Sequence, residues 1–80
     1  MKKVEINKAE ASRNGFLMFY YRLGEEIDIA RTAQDYLILA EQCAKFAACC
    51  GKVAVEIARQ GDVPLKPLTA ANKRWIKNLK

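Results

Sequence analysis

The chain contains no histidine, so it lacks the side chain that most often acts as a general base near neutral pH and as a zinc ligand. Neither a glycine-rich phosphate-binding loop nor a nucleophile-elbow motif occurs among its 80 residues. Its three cysteines have no CxxC spacing, which a zinc site would favour. We therefore expect a protein that is not an enzyme, with no catalytic residues, no metal site, no cofactor and no small-molecule substrate.

Long hydrophobic runs are also missing. The apolar stretch 36–50 is interrupted by Glu41 and Lys45, whereas a membrane span needs about 20 nearly uninterrupted apolar residues. The run 16–21 is shorter than the core of a secretion signal. We expect a soluble, cytoplasmic protein that does not use a membrane as its partner.

The cysteines are odd in number and lie on one predicted helix, where neighbouring side chains point about 100° apart. This arrangement does not predict a disulfide framework, so we expect reduced thiols. Cys43 and Cys50 fall on an apolar stripe and are predicted to be buried as small hydrophobic residues. Cys49 falls on the polar side, and we expect it to be exposed.

Two apolar stripes of contrasting size run along the middle of the chain. Small residues dominate the first: Ala30, Ala33, Leu37, Ala40, Ala44, Ala47, Gly51, Ala54 and Ala58. Larger residues form the second: Tyr36, Leu39, Cys43, Phe46, Cys50, Val53 and Ile57. A helix that is apolar over two adjacent stripes needs more than one neighbour. We expect the N-terminal helix to cover the large stripe and a second copy of the chain to cover the small one.

The N-terminal region suggests an arm followed by a helix. Residues 1–7 form an N-terminal arm, in which the weak alternation of Val4 and Ile6 predicts an extended segment or a short edge strand. Asn7 followed by Glu10 resembles a capping box, which predicts a helix over 8–23 closed by Gly24. The alternative is a hairpin turn at Asn14-Gly15 that joins two strands.

The central segment predicts one helix from Glu25 to Gln60, because acidic residues open it and Gly61-Asp62 can end it. Such a helix would be about 54 Å long. Either it breaks at Gly51, giving a four-helix arrangement, or it continues and packs closely against a second copy. Two rows opposite the stripes predict a solvated face: Arg31, Lys45, Lys52 and Arg59 in one row, and Asp35, Gln42, Cys49 and Glu56 in the next.

The C-terminal half carries the net charge of +5, because residues 1–40 contain six basic and six acidic side chains. Residues 62–68 contain two prolines and predict a linker, and 69–80 predict a basic helix capped by Thr69. Cations can contact phosphates or an acidic protein surface, and an indole ring can stack on bases. The candidate partner-binding residues are Lys66, Lys73, Arg74, Trp75, Lys77 and Lys80.

Residues 1–80 together predict a single all-α domain. We expect a small helical bundle with one long central helix, an N-terminal helix and a short basic C-terminal helix. A monomer of this size buries only about 60–65% of its unfolded surface, which favours oligomerisation. The predicted homodimer uses the small-residue stripe: Ala40, Ala44, Ala47, Gly51, Ala54 and Ala58.

Two functions are consistent with these features. The first is a regulator or inhibitor that covers a surface on a protein partner, as many small phage- or plasmid-encoded inhibitors of host defence do. The alternative is a basic accessory protein whose C-terminal half binds nucleic acid through its phosphates, with little sequence readout.

Overall fold

The computed structural model describes residues 7–78, and within them it contains three α-helices and no strand: α1 (Lys8–Ile29), α2 (Ala33–Arg59) and α3 (Ala70–Asn78). The predicted all-helical class is therefore confirmed for this part of the chain. The arm predicted for 1–7 falls outside the described residues except for Asn7, and Leu79 and Lys80 also lie outside them.

The first helix begins where the capping signal predicted. The Asn7 side-chain oxygen accepts hydrogen bonds from the backbone N–H groups of Ala9 (2.9 Å) and Glu10 (3.1 Å). The chain stays helical through Asn14-Gly15, so the hairpin alternative is wrong. The predicted end at Gly24 is also wrong, because α1 continues to Ile29.

The boundary between α1 and α2 differs from the prediction, since Glu25, Glu26 and Asp28 lie in the last turns of α1. A capping box at Thr32 and Asp35 starts α2. The Asp35 carboxylate accepts from the backbone N–H groups of Arg31 (3.0 Å) and Thr32, and the Thr32 hydroxyl accepts from the Asp35 N–H. Paired hydrogen bonds to unsatisfied backbone donors outweigh a helix-dipole effect of about 0.3–1 kcal/mol per charge.

The second helix runs unbroken through Gly51 for 27 residues, or about 40 Å, so the alternative with a break is wrong. It ends as predicted at Gly61 and Asp62, both with positive φ (84° and 59°). The Asp62 N–H donates to the Ile57 carbonyl and the Gly61 N–H to the Ala58 carbonyl, which is the Schellman pattern.

Helices α1 and α2 pack antiparallel. The rings of Phe16 and Phe46 stack with centroids 4.5 Å apart, and the ring of Phe19 tilts against Phe46 at 5.7 Å. At one end of the pair Lys8 shares a groove with Glu56. At the other end Glu26 and Ile29 share one with Asp35 and Leu39. The three residues 30–32 are enough to connect two helices that lie side by side.

The face of α2 turned to α1 is rotated by about 50° from the predicted large stripe. Half-buried or buried side chains form this inner face: Leu39, Gln42, Phe46, Cys49, Val53, Glu56 and Ile57. Cys43 and Cys50, predicted to be buried, are exposed, and Cys49 is half-buried. Of the two rows predicted to be solvated, the row of basic residues is exposed as predicted: Arg31, Lys45, Lys52 and Arg59. The other row is half-buried, because polar α1 side chains such as Arg22 and Glu26 line the groove beside Gln42.

The third helix packs on α1. Thr69 caps it as predicted, since its hydroxyl accepts from the Asn72 N–H at 3.1 Å. Ile76 is 1% exposed and provides the main anchor. The preceding segment is tied to α1 by the Arg13 guanidinium, which donates to the Lys66 carbonyl at 2.6 Å.

Candidate functional site

The side of α2 turned away from α1 is uncovered. We call it the outer face. It comprises these exposed residues: Ala33, Tyr36, Leu37, Ala40, Cys43, Ala44, Ala47, Ala48, Cys50, Gly51, Ala54, Val55 and Ala58. None of them carries a charge. The whole predicted self-association set lies on this face.

The outer face is large for the surface of a small protein. It spans about 160° of the helix and about 38 Å of its length. Its larger members are well exposed: Tyr36 (58%), Leu37 (63%) and Val55 (48%). The largest apolar patch on a typical monomer covers about 300–600 Å² and is often functional.

The burial of the whole chain supports the same conclusion. Four hydrophobic residues are fully buried among those described: Ala9, Leu23, Leu39 and Ile76. The chain exposes 6621 Å², whereas a compact 9.0 kDa monomer exposes about 4,900 Å². The chain therefore exposes more surface than a compact monomer of its mass.

Gly51 lies in the middle of the outer face. A glycine inside a helix costs about 1 kcal/mol relative to alanine, and a Cβ built at Gly51 meets no atom within 4 Å. The same open space exists at Gly24 in α1. At Gly51, however, the missing side chain flattens the centre of an alanine-lined surface.

The two long edges of the outer face differ in chemistry. One edge carries exposed charged side chains, Glu41, Lys45 and Lys52. The other edge carries Cys43 and Cys50, which are free thiols. Arg59 lies at the same angle around α2 as Glu41, and it forms an ion pair with Glu56 (3.1 Å) in the last turn of the helix.

The basic C-terminal region lies apart from the outer face, because α3 packs on α1. Residues 63–80 contain five Lys and Arg and no acidic residue, so they carry the entire net charge. Lys66, Lys73, Arg74 and Lys77 are exposed, and Trp75 is 57% exposed. Lys80 lies outside the described residues.

The structure does not bring all the candidate partner-binding residues of α3 to one side. Lys73 and Lys77 lie one turn apart on the same side of the helix. Trp75 lies about 160° around the axis from each of them, and Arg74 falls in between. The tryptophan and the two lysines therefore face different directions.

Arg13 was not singled out from the sequence, yet it organises the junction between α1 and the C-terminal region. Besides its bond to the Lys66 carbonyl, its Nε is buried and has no hydrogen-bond partner. It lines a cavity of about 140 Å³ together with Trp75 and Ile76. Nothing in the sequence marks it, because a lone arginine on a helix is normally a solvated side chain.

The titratable groups show one clear perturbation. Hydrogen bonds lower the pKa of Asp35, first from the backbone N–H of Arg31 and then from Thr32. This shift belongs to the capping box of α2. Among residues 7–78 there is no cluster of three or more side chains suited to hold a metal ion. The helices in the same range include none that is both long and apolar enough to cross a membrane.

Comparisons with known proteins gave no match: no family model, no curated protein and no solved structure is significantly similar to the chain.

Proposed function

We propose that the chain is a non-enzymatic binding protein that forms a homodimeric helical bundle through the outer face of α2. It acts in the cytoplasm as a regulator or inhibitor by covering a surface on a protein partner. The uncovered, charge-free outer face is the observation that carries this proposal. The basic α3 helix provides the partner contact, and since it packs on α1 it stays available when the outer face is occupied.

The position of Trp75 supports a protein partner over nucleic acid. A strand that stacked a base on this indole would have to pass around α3 before its phosphates met Lys73 and Lys77. A protein surface with an acidic patch can meet the lysines while a concave part of it receives the tryptophan. Exposed tryptophan and arginine are also the side chains most enriched at binding hot spots.

Dimerisation would strengthen such binding. Two protomers double the number of α3 helices, and a target with two acidic sites would then be bound bivalently, with a gain in avidity that needs no new contact. Charge complementarity would speed association at low salt.

Self-association can be tested by light scattering and sedimentation over a range of concentrations. The wild-type chain is expected to form a concentration-dependent dimer. Ala47→Glu places a charge at the centre of the outer face and should give a monomer with unchanged helix content. Ala11→Glu makes the same change at an exposed position of α1 and should still dimerise. A monomeric wild-type chain at high concentration would remove this part of the proposal.

The partner contact can be tested with a charge-reversed variant of α3 that combines Lys73→Glu, Arg74→Glu and Lys77→Glu. Partners recovered from host extract, with and without nuclease, are identified for the wild type and then measured with the purified chain. A purified acidic protein should bind the wild type and lose binding to the variant. A partner that binds both equally would place the contact elsewhere on the molecule.

The alternative function, nucleic-acid binding, is favoured by one observation: the concentration of the entire net charge in residues 63–80. Direct phosphate binding would weaken linearly on a log–log plot against salt, with a slope set by the number of contacts. Titration of single- and double-stranded DNA and RNA at low salt tests it. If the chain binds none of these nucleic acids at low salt, the nucleic-acid alternative is excluded.

A further inference from the structure

Two pairs of positions on α2 share one centre near its middle, and a third pair is centred half a residue away. Glu41 and Lys52 are equally distant from the point between Phe46 and Ala47, and so are Cys43 and Cys50. Ala40 and Ala54 are centred on Ala47 itself. The charged pair lies on one edge of the outer face and the thiol pair on the other, so two edges of different chemistry share one centre.

Such symmetry distinguishes the two ways in which a pair of identical helices can pack. When the helices are antiparallel, like edges meet, and each residue lies opposite the residue at the same distance beyond the centre. When they are parallel, each residue lies at the height of its own copy and unlike edges meet. Antiparallel packing therefore places Glu41 beside Lys52 of the partner subunit, whereas parallel packing places Glu41 against the thiol edge.

We propose that a second copy of the chain packs antiparallel on the outer face, centred between Phe46 and Ala47. Glu41 then lies beside Lys52 of the partner subunit, and Cys43 lies beside Cys50 of the partner subunit. This inference rests on the self-association proposed above and adds its direction and register.

Charge complementarity argues for this occupant. Two Glu–Lys pairs form at the charged edge, related by the two-fold axis. Lys45 lies opposite the partner's Ala48, so no like charges are placed directly opposite each other. A register that brought Lys45 beside Lys52 of the partner subunit would be opposed by repulsion between the two like charges.

Steric fit argues in the same direction. Where facing positions are alanine or glycine, two helices can approach to about 8 Å between axes, the lower end of the normal range. Backbone dispersion contacts and Cα–H···O contacts then replace side-chain packing. The footprint is roughly 38 Å by 10 Å, or about 400 Å² per protomer, below the standard of about 800 Å². The pair is therefore a reversible dimer, to be studied at high protein concentration.

Thiol cross-linking tests the direction. In the full-length chain with Cys49→Ser, two variants are made: one keeps only Cys43 (with Cys50→Ser) and the other keeps only Cys50 (with Cys43→Ser). A short bismaleimide is chosen that cannot bridge the roughly 10 Å between positions seven apart on one helix. The antiparallel register predicts covalent dimers from a one-to-one mixture, severalfold above either variant alone.

The outcomes are distinguishable. Covalent dimers from each variant alone, with no gain on mixing, show parallel packing and overturn the inference. A dimer seen by light scattering that cross-links in no combination overturns the register while the proposed function stands. A chain that stays monomeric at the concentrations used overturns the proposed self-association itself.

Charge exchange gives a second test that does not depend on thiol geometry. Glu41→Lys and Lys52→Glu should each weaken dimerisation about three- to tenfold, because each makes two like-charge contacts per dimer. The double exchange should restore the wild-type dissociation constant to within a small factor. If the double variant is as weak as the sum of the single variants, the two residues do not meet across the interface.

Discussion

The two sides of α2 use opposite kinds of side chain. The inner face closes on α1 with a phenylalanine that stacks on Phe16 and with leucine, valine and isoleucine. The outer face carries seven alanines and a glycine on the same helix, all of them exposed in the part of the chain that the structure describes. The difference teaches that large side chains hold the two helices together, whereas small ones form a smooth face that the described part of the chain leaves exposed.

The division follows from the energies involved. A buried phenylalanine or leucine contributes about 1.5–3 kcal/mol, so a few of them fasten one helix to another within the chain. An alanine contributes much less, but it lets a whole helix approach closely. An exposed face of large apolar residues would be a greater aggregation liability than this one.

The largest expected effect comes from truncating the inner face. Phe46→Ala removes the ring on which Phe16, Phe19 and Tyr20 converge, and should lower the free energy of unfolding by about 2–3 kcal/mol, since Phe46 is only half-buried. Urea unfolding followed by circular dichroism measures this loss.

Leu37→Ala on the outer face is the matched control for that comparison. Leu37 is 63% exposed, so at concentrations where the chain is monomeric its truncation should change the unfolding free energy by less than about 0.5 kcal/mol. Equal losses for both variants would mean that the two faces do not differ as described.

The rate of thiol labelling sharpens the comparison without altering the inner face. Cys43 and Cys50 are exposed, whereas Cys49 is half-buried against α1. In dilute protein the first two should react about tenfold faster than Cys49 with a neutral maleimide, since access limits the reaction. Raising the protein concentration should slow Cys43 and Cys50 selectively. Labelling rates independent of concentration would show that nothing covers the thiol edge.

Glycine replacement should have a smaller effect and the opposite sign. Gly51→Ala and Gly24→Ala each remove helix-destabilising flexibility, and a Cβ at either position meets open space. Each should raise the unfolding free energy of the monomer by about 0.5–1 kcal/mol. Thermal unfolding measures both variants. A lower unfolding free energy for either one would contradict the open space found at that position.

The smallest effect concerns the capping box at the start of α2, which stabilises the helix as a whole and neither face in particular. Hydrogen bonds from Arg31 and Thr32 lower the pKa of Asp35 below its ordinary value of 3.8. The ionised Asp35 carboxylate therefore stabilises the fold when the pH is above the ordinary pKa of 3.8. This contribution disappears as the pH falls through the lowered pKa of the folded state. The unfolding free energy of Asp35→Ala should depend less on pH below about pH 4 than that of the wild type. Parallel acid titrations followed by circular dichroism compare the two chains.

Much of the helical framework could be predicted because local chemistry determines it. Asn7, Thr69 and Gly61-Asp62 carry side chains or conformations that end or begin helices with their own hydrogen bonds. The continuity of α2 through Gly51 followed from the unbroken apolar period. These features depend on neighbours within a few residues.

The boundary between α1 and α2 could not be read in the same way. The acidic cluster Glu25, Glu26 and Asp28 is typical of a helix start, but it lies at the end of α1. Thr32 with Asp35 was the better signal, because it satisfies backbone donors directly. A charge near a helix end is a weaker and less directional influence.

The surface roles depended on long-range packing, which a single period does not determine. The stripe pattern predicted that α1 would cover the large stripe, but the face that meets α1 is rotated from it, and the rotation exposed Cys43 and Cys50. The separation of Trp75 from Lys73 follows from their spacing along α3, but only the docking of Ile76 fixes which way each of them faces.

The three-residue connection between α1 and α2 also has a kinetic consequence. Contacts near residues 30–32 join positions close in sequence, so α1 and α2 can pack first next to their connection and then along their length. Helical proteins with such local contacts fold within microseconds to milliseconds. Translation adds about 5–20 residues per second. During synthesis, the rate of translation therefore limits when the phenylalanines of α1 can pack against Phe46, because α2 must first be made.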